Sequence, residues 1–171
     1  MEVRTIIFLA LSISSFAQSV LHYLPMNPGA TIQTGKWTVA NSGSDFLITN
    51  PDSTTSTVAK AAQITQSVTV FALPANGKII DCVVKTGTAF TGTTTLTATL
   101  GVTGSLTGCI GTAYDMKAAV SNTNFSVALP ATPIVSFAGT NVILALTSTV
   151  DNLSAISAGS ITIWLTWSVL P

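Results

Sequence analysis

The sequence predicts an all-β protein, and three observations support this fold class. Apolar and polar residues alternate over short runs, which is the period of a strand with one buried face. Turn residues (Gly, Pro, Asn) separate the runs every 8–12 residues or so. Only 7% of residues are charged, against about 25% in an average soluble protein, so Thr and Ser solvate the surface. We expect an antiparallel β-sandwich, jelly-roll-like, with an immunoglobulin-like sandwich as the alternative.

Residues 68–100 show the strand pattern most clearly. A strand over 68–73 should stop at the Pro-Ala-Asn-Gly turn of residues 74–77, since Pro lacks a ladder donor and Asn-Gly tolerates positive φ. A second strand starts at Lys78, and a turn is predicted at 88–92 before a third strand at 93–100. We expect Ile80, Cys82 and Val84 on one face of the second strand, Ile79 on the other, and an outer row in the third strand of Thr93, Thr95, Thr97 and Thr99.

The flanking segments continue the same style. A first strand around Trp37 and Val39 is followed by a turn at 41–44, a return strand at 45–49 and an exposed polar loop at 50–57. The glycine-rich residues 101–111 should form turns or bulges, because no Lys-Ser/Thr pair follows as a phosphate loop requires. Further strands are predicted at 125–129, 141–149 and 160–169, the last of them central in a sheet, and a short helix at 113–119.

The composition excludes several function classes. Six Lys and Arg balance six Asp and Glu, so no basic footprint for nucleic acid exists. The low net charge gives little colloidal repulsion and favours a subunit held in an assembly with copies of itself and other proteins. The only histidine, His22, has no triad partner and the carboxylates are scattered singly, so we expect no enzyme, cofactor or metal site.

The two cysteines, Cys82 and Cys109, are too few for a disulfide scaffold and form no zinc motif. Cys82 is interpreted as a small buried apolar residue of its strand. The sequence allows a bridge between the two cysteines but does not indicate one.

The first 29 residues are predicted to be separate from a sandwich domain over residues 30–171. They combine an apolar run with a linker at residues 25–29, and the run is too short to cross a membrane. Either it is an arm that packs on a neighbouring subunit, or it is a signal peptide cleaved between Ala17 and Gln18. In neither case is the mature protein expected in a membrane. The candidate interface residues of the arm are Ile6, Ile7, Phe8, Leu9 and Leu11.

Trp164 is a large aromatic residue in a row of Thr and Ser on the outer face of the last predicted strand. It could lie flat against its cross-strand neighbours, or it could anchor a subunit contact, since aromatic residues dominate interface energetics. A carbohydrate platform shared with Trp37 and Tyr114 is a weaker alternative, because nothing indicates that the rings are coplanar.

Two segments resemble small virion proteins of tailed bacteriophages: VFALPANGKIIDCVVKTGTAFTGTTTLTATLGVTG (residues 70–104) and the ending AGSITIWLTWSVLP (158–171). The resemblance is one of style and order and includes no catalytic signature. It implies a structural component of the virion, namely a capsid decoration protein, a head fibre or a tail-associated subunit, in a symmetric oligomer. The alternative is a secreted bacterial surface protein, an adhesin or filament subunit with its signal peptide removed.

Overall fold

Two antiparallel β-sheets pack face to face, and the predicted all-β sandwich is confirmed. The computed structural model describes residues 31–118, 125–128, 134–136 and 138–169. A single 3₁₀ turn at Leu153–Ala155 is the only helical element of that part of the chain. Its strands are β1 (Thr31–Ser42), β2 (Asp45–Thr49), β3 (Thr55–Ala59), β4 (Thr65–Leu73), β5 (Gly77–Thr91), β6 (Thr97–Val102), β7 (Ser105–Asp115), β8 (Phe125–Ala128), β9 (Ile134–Ser136), β10 (Thr140–Thr147) and β11 (Ala158–Val169).

The chain passes repeatedly between the two sheets. The large sheet has the order β3-β2-β1-β11-β5-β8, with β9 also paired to β5, and the small sheet has the order β4-β10-β6-β7. If β2, β3 and β9 are set aside, the eight remaining strands form two four-stranded sheets, β1-β11-β5-β8 and β4-β10-β6-β7. We classify this order as jelly-roll-like, because it is the interleaving of two Greek keys.

Strand β11 lies between β1 and β5, as the sequence predicted for the last strand. Its alternate residues Ile161, Ile163 and Leu165 are buried, and from the small sheet the alternate residues Val142 and Leu144 of β10 enter the same core. The period-two patterns predicted for these two strands therefore each contribute a row of side chains to the core.

Strand β5 differs from its predicted course in two places. The register with β11 shifts after Ile79, so Ile80 sits in a bulge and Ile79 is buried together with Cys82. A bulge adds one residue to one strand, and this reverses the facing of every residue on one side of it. The predicted turn at 88–92 is also wrong, because β5 continues to Thr91 and only Gly92, with φ +95°, leaves the strand.

Two further predictions were wrong. Residues 113–119 do not begin a helix: β7 runs to Asp115, and the buried Tyr114 hydroxyl accepts the Thr86 N–H at 2.9 Å. The polar loop predicted at 50–57 is exposed, but its last residues form β3, which pairs with β2 at the edge of the large sheet. An edge strand of this kind has no buried face to give a pattern.

A disulfide joins Cys82 of β5 to Cys109 of β7, with 6.1 Å between the Cα atoms. Both residues are buried, so Cys82 is a core residue as interpreted, and the bridge left open by the sequence is present. Because β5 belongs to the large sheet and β7 to the small one, the bond ties the two layers of the sandwich together.

Candidate subunit interface

Trp164 projects from the middle of the large sheet, away from the core. Its neighbours Ile163 and Leu165 are buried, while Trp164 itself is half-buried on the opposite face. Lys36 of β1 and Val83 of β5 are its cross-strand partners, about 5 Å away on either side by the spacing of strands. We call this surface the Trp164 face and define it by its central residues Lys36, Val83, Lys85, Thr162, Trp164 and Thr166.

Lysines lie on and beside the Trp164 face. Lys36, Lys78 and Lys85, three of the six Lys and Arg residues in the chain, lie on β1 and β5. Asp81 of β5 is the carboxylate among them, and one of its oxygens is buried without a hydrogen-bond partner. An indole between lysines resembles an interface centre with a charged rim, where an aromatic anchor excludes water.

The outer face of the small sheet has a different chemistry. Three of its four strands, β4, β6 and β10, contain no charged residue, and the fourth, β7, places the exposed Asp115 opposite Thr97. Thr97 and Thr99 point outward as predicted, whereas Thr93 is buried before the strand begins. The predicted row of outward threonines, which we call the threonine face, is therefore present but shorter than expected, and its hydroxyl groups can hydrogen-bond to water. The contrast makes the Trp164 face the better candidate for a contact.

Other aromatic residues of the described ranges pack between the two sheets. Trp37, Phe71 and Trp167 form a cluster between the sheets with ring centroids 4.6–5.9 Å apart. Trp37 and Tyr114, which the sequence suggested as companions of Trp164 in a carbohydrate platform, are both buried. They do not form a surface row with Trp164.

Three ionisable groups away from the Trp164 face have pKa values shifted by their structural contacts. Backbone and side-chain hydrogen bonds from Thr94 hold the pKa of Asp151 below its usual 3.8. Bonds from Thr54 do the same for the pKa of Asp52. Burial lowers the pKa of Lys60, and the charge of Asp45 opposes this.

Among residues 31–118, 125–128, 134–136 and 138–169, no group of three or more His, Cys, Asp and Glu side chains could hold a metal ion. In the same part of the chain, no helix has the length and apolarity to span a bilayer.

The predicted arm, with Ile6, Ile7, Phe8, Leu9 and Leu11, lies outside the described residues, as does His22. The sequence singled out Trp164 but did not bring Lys36, Val83 and Lys85 to it, because that grouping depends on the pairing of β1, β11 and β5.

No protein-family model matches the sequence, and no curated protein matches it. The fold is similar to a chain of the "Cyanophage Pam1 capsid asymmetric unit", at 15% sequence identity and a TM-score of 0.52, over 94% of this chain and 100% of that chain. A looser match is to the "Acidic stable capsid structure of Helicobacter pylori bacteriophage KHP30", at 12% identity and a TM-score of 0.44, over 81% and 94% of the two chains. The chain therefore shares its fold with a chain of a phage capsid.

Proposed function

We propose that this chain is a structural subunit of a bacteriophage virion. The observation that carries the proposal is the fold match, which spans the whole of a chain in a phage capsid rather than one domain of it. The resemblance of residues 70–104 and 158–171 to small virion proteins agrees with it. Among decoration, head-fibre and tail-associated roles, capsid decoration fits best, because the matched chain belongs to a capsid asymmetric unit.

The Trp164 face is the proposed contact with the particle. Trp164 is half-buried by its own sheet, so a partner can cover the rest of the indole without moving the backbone. The surrounding lysines favour a partner surface that carries carboxylates, since complementary charge sets register and suppresses wrong partners. The threonine face on the opposite sheet, whose strands contain no lysine, then faces solvent.

Trp164 by itself buries too little area for a stable attachment. An aromatic side chain buries about 150–250 Å², whereas a specific interface needs about 1,000 Å² or more. We propose that the apolar arm, including Ile6, Phe8 and Leu9, supplies further area against a neighbouring subunit. Deletion of residues 1–20 should leave a folded sandwich that no longer joins the assembly. Normal incorporation of the deleted protein would remove the arm from the account.

The substitution Trp164→Thr tests the contact. It removes the aromatic anchor, and Thr is compatible with the strand because Thr162 and Thr166 already occupy the neighbouring positions on the same face. Ile143→Thr is the matched control, since Ile143 is half-buried on the outer face of the small sheet. Both variants should keep the β-rich circular dichroism spectrum. Loss of a hot-spot aromatic residue costs about 2 kcal/mol or more, so we expect at least roughly 30-fold weaker attachment to particles for Trp164→Thr alone. Equal attachment of both variants contradicts the assignment.

The disulfide is the observation that favours the second candidate, a secreted bacterial surface subunit. Disulfides persist in oxidising surroundings, and the chain has one between Cys82 and Cys109. A released phage particle is also extracellular, so the bond is compatible with both functions. The intact mass of native material separates them: a protein that begins at Gln18 supports secretion, and one that begins at Met1 supports the virion subunit.

A further inference from the structure

Lys60 is buried at the end of the sandwich opposite the chain's entry into β1. With 9% of its surface exposed, it is the only charged residue in the core of the described ranges. It follows β3 directly, and its backbone N–H donates to the Ser44 carbonyl at 3.0 Å. The pairing of β3 with β2 and this hydrogen bond fix the backbone position of Lys60.

The amino group of Lys60 contacts the side-chain carboxamide of Asn41. Lys60 Nζ lies 2.7 Å from Asn41 Oδ1 and 2.5 Å from the Ile156 carbonyl oxygen. Asn41 Nδ2 in turn donates to the Ser157 carbonyl at 2.9 Å. Since a C=O bond is about 1.2 Å long, Lys60 Nζ cannot be farther than about 3.9 Å from Asn41 Cγ. This is close to the separation of a near-attack pair.

We propose that Lys60 and Asn41 join through an amide bond inside the folded chain. Neutral Lys60 Nζ adds to Asn41 Cγ, and the C–N bond to Asn41 Nδ2 breaks. One Nζ proton passes to the departing nitrogen, which leaves as ammonia. No oxidant, reductant or further reactant is required, and the product is a cross-link between the end of β1 and the segment after β3.

Three features of the site favour this chemistry. Burial lowers the pKa of Lys60 and so increases the fraction of neutral, nucleophilic amine, although the charge of Asp45 works in the opposite direction. The Asn41 carboxamide is held at both ends, with its oxygen towards Lys60 and its nitrogen towards Ser157. The flanking strands hold the two groups together before reaction, which replaces a bimolecular encounter with an intramolecular one.

The charge of Asp45 opposes the formation of neutral Lys60 amine. Asp45 is the carboxylate whose charge acts on Lys60, and it begins β2 next to Ser44, whose carbonyl holds the Lys60 backbone. Asp45→Asn removes the charge that raises the pKa of Lys60, so it should speed the appearance of the cross-link while leaving the fold intact.

Mass spectrometry of the purified full chain tests the proposal. The cross-linked protein should be lighter than its sequence mass by about 17 Da, the mass of ammonia. Trypsin cleaves after lysine but not at an acylated one, so residues 37–78 should emerge as one peptide with the same deficit. The Lys60→Arg variant keeps the positive charge but should show the full mass. Lys117→Arg is the matched control, because Lys117 Nζ donates to the Thr93 backbone carbonyl and has no carboxamide partner.

Two results would overturn the cross-link. Full mass together with ordinary cleavage after Lys60 means that the lysine is only a hydrogen-bonded ammonium held by carbonyl oxygens. A deficit that persists in Lys60→Arg means that Asn41 cyclises with its own backbone, which also releases ammonia. Neither result bears on the proposed virion role, because the cross-link uses no residue of the Trp164 face.

Discussion

Removal of the disulfide by the double substitution Cys82→Ala and Cys109→Ala should destabilise the sandwich strongly. The bond closes a loop of 27 residues, and the loss of that constraint on the unfolded chain costs about 3.5 kcal/mol on the chain-entropy account. A change of 1 kcal/mol shifts the midpoint of a domain of this size by about 2–4 °C. The melting temperature of the double variant should therefore fall by about 7–14 °C.

The measurement is urea and thermal unfolding of the wild type, with and without reductant, beside the double variant. When the wild type is denatured and refolded in reductant, its unfolding midpoint should approach that of the double variant. The midpoint of the variant should not change with reductant. A titration of thiols in the denatured, unreduced wild type should find none. Two free thiols in that titration, with unfolding that is indifferent to reductant, would refute the bridge and the magnitude derived from it.

The remaining predictions concern single residues. Gly159→Ala should lower the free energy of unfolding by about 2 kcal/mol or more, because the φ of Gly159 is +125° and a Cβ there would meet the Phe90 ring. Gly43→Ala should lower it by only about 1 kcal/mol, because Gly43 has φ +60° and a Cβ there would meet nothing. Chemical denaturation of both variants measures the difference. Tyr114→Phe removes the hydroxyl bound to the Thr86 N–H and hydroxyl and should cost about 1–3 kcal/mol by the same assay. The pKa of Asp151 is lowered in the folded state, so its contribution is present above pH 3.8 and is lost as pH falls through the folded pKa. Asp151→Asn should therefore flatten the acid limb of a stability-against-pH curve, and an unchanged limb would contradict this.

The fold class and the central strand could be predicted because they depend on local alternation. In β11 the core residues Ile161, Ile163 and Leu165 are each two positions apart. This alternation does not depend on which strands pair with β11, so it can be recognised in the sequence alone. The bulge at Ile80 could not be predicted, since it exists only in the register of β5 against β11. The helix predicted at 113–119 failed for a similar reason: Tyr114 belongs to β7, and its hydroxyl is bound by Thr86 from the opposite sheet.

The candidate site was predicted only in part. A lone Trp in a row of Thr and Ser was visible in the sequence, and it does lie on an outer face. Its neighbours Lys36 and Val83 are 128 and 81 residues away along the chain, so only the strand order brings them together. The same holds for the Cys82–Cys109 bond, which requires that β5 and β7 face each other across the core.

The measurement that tests the central claim most directly is thiol labelling of assembled particles that carry either Thr162→Cys or Thr99→Cys. Thr162 adjoins Trp164 on the large sheet, Thr99 lies on the threonine face, and both native cysteines are bonded and buried. In the isolated subunit both new thiols should react with maleimide. In the particle the thiol at position 162 should be protected and the one at 99 should still react, whereas free reaction at 162 or protection at 99 alone would contradict attachment through the Trp164 face.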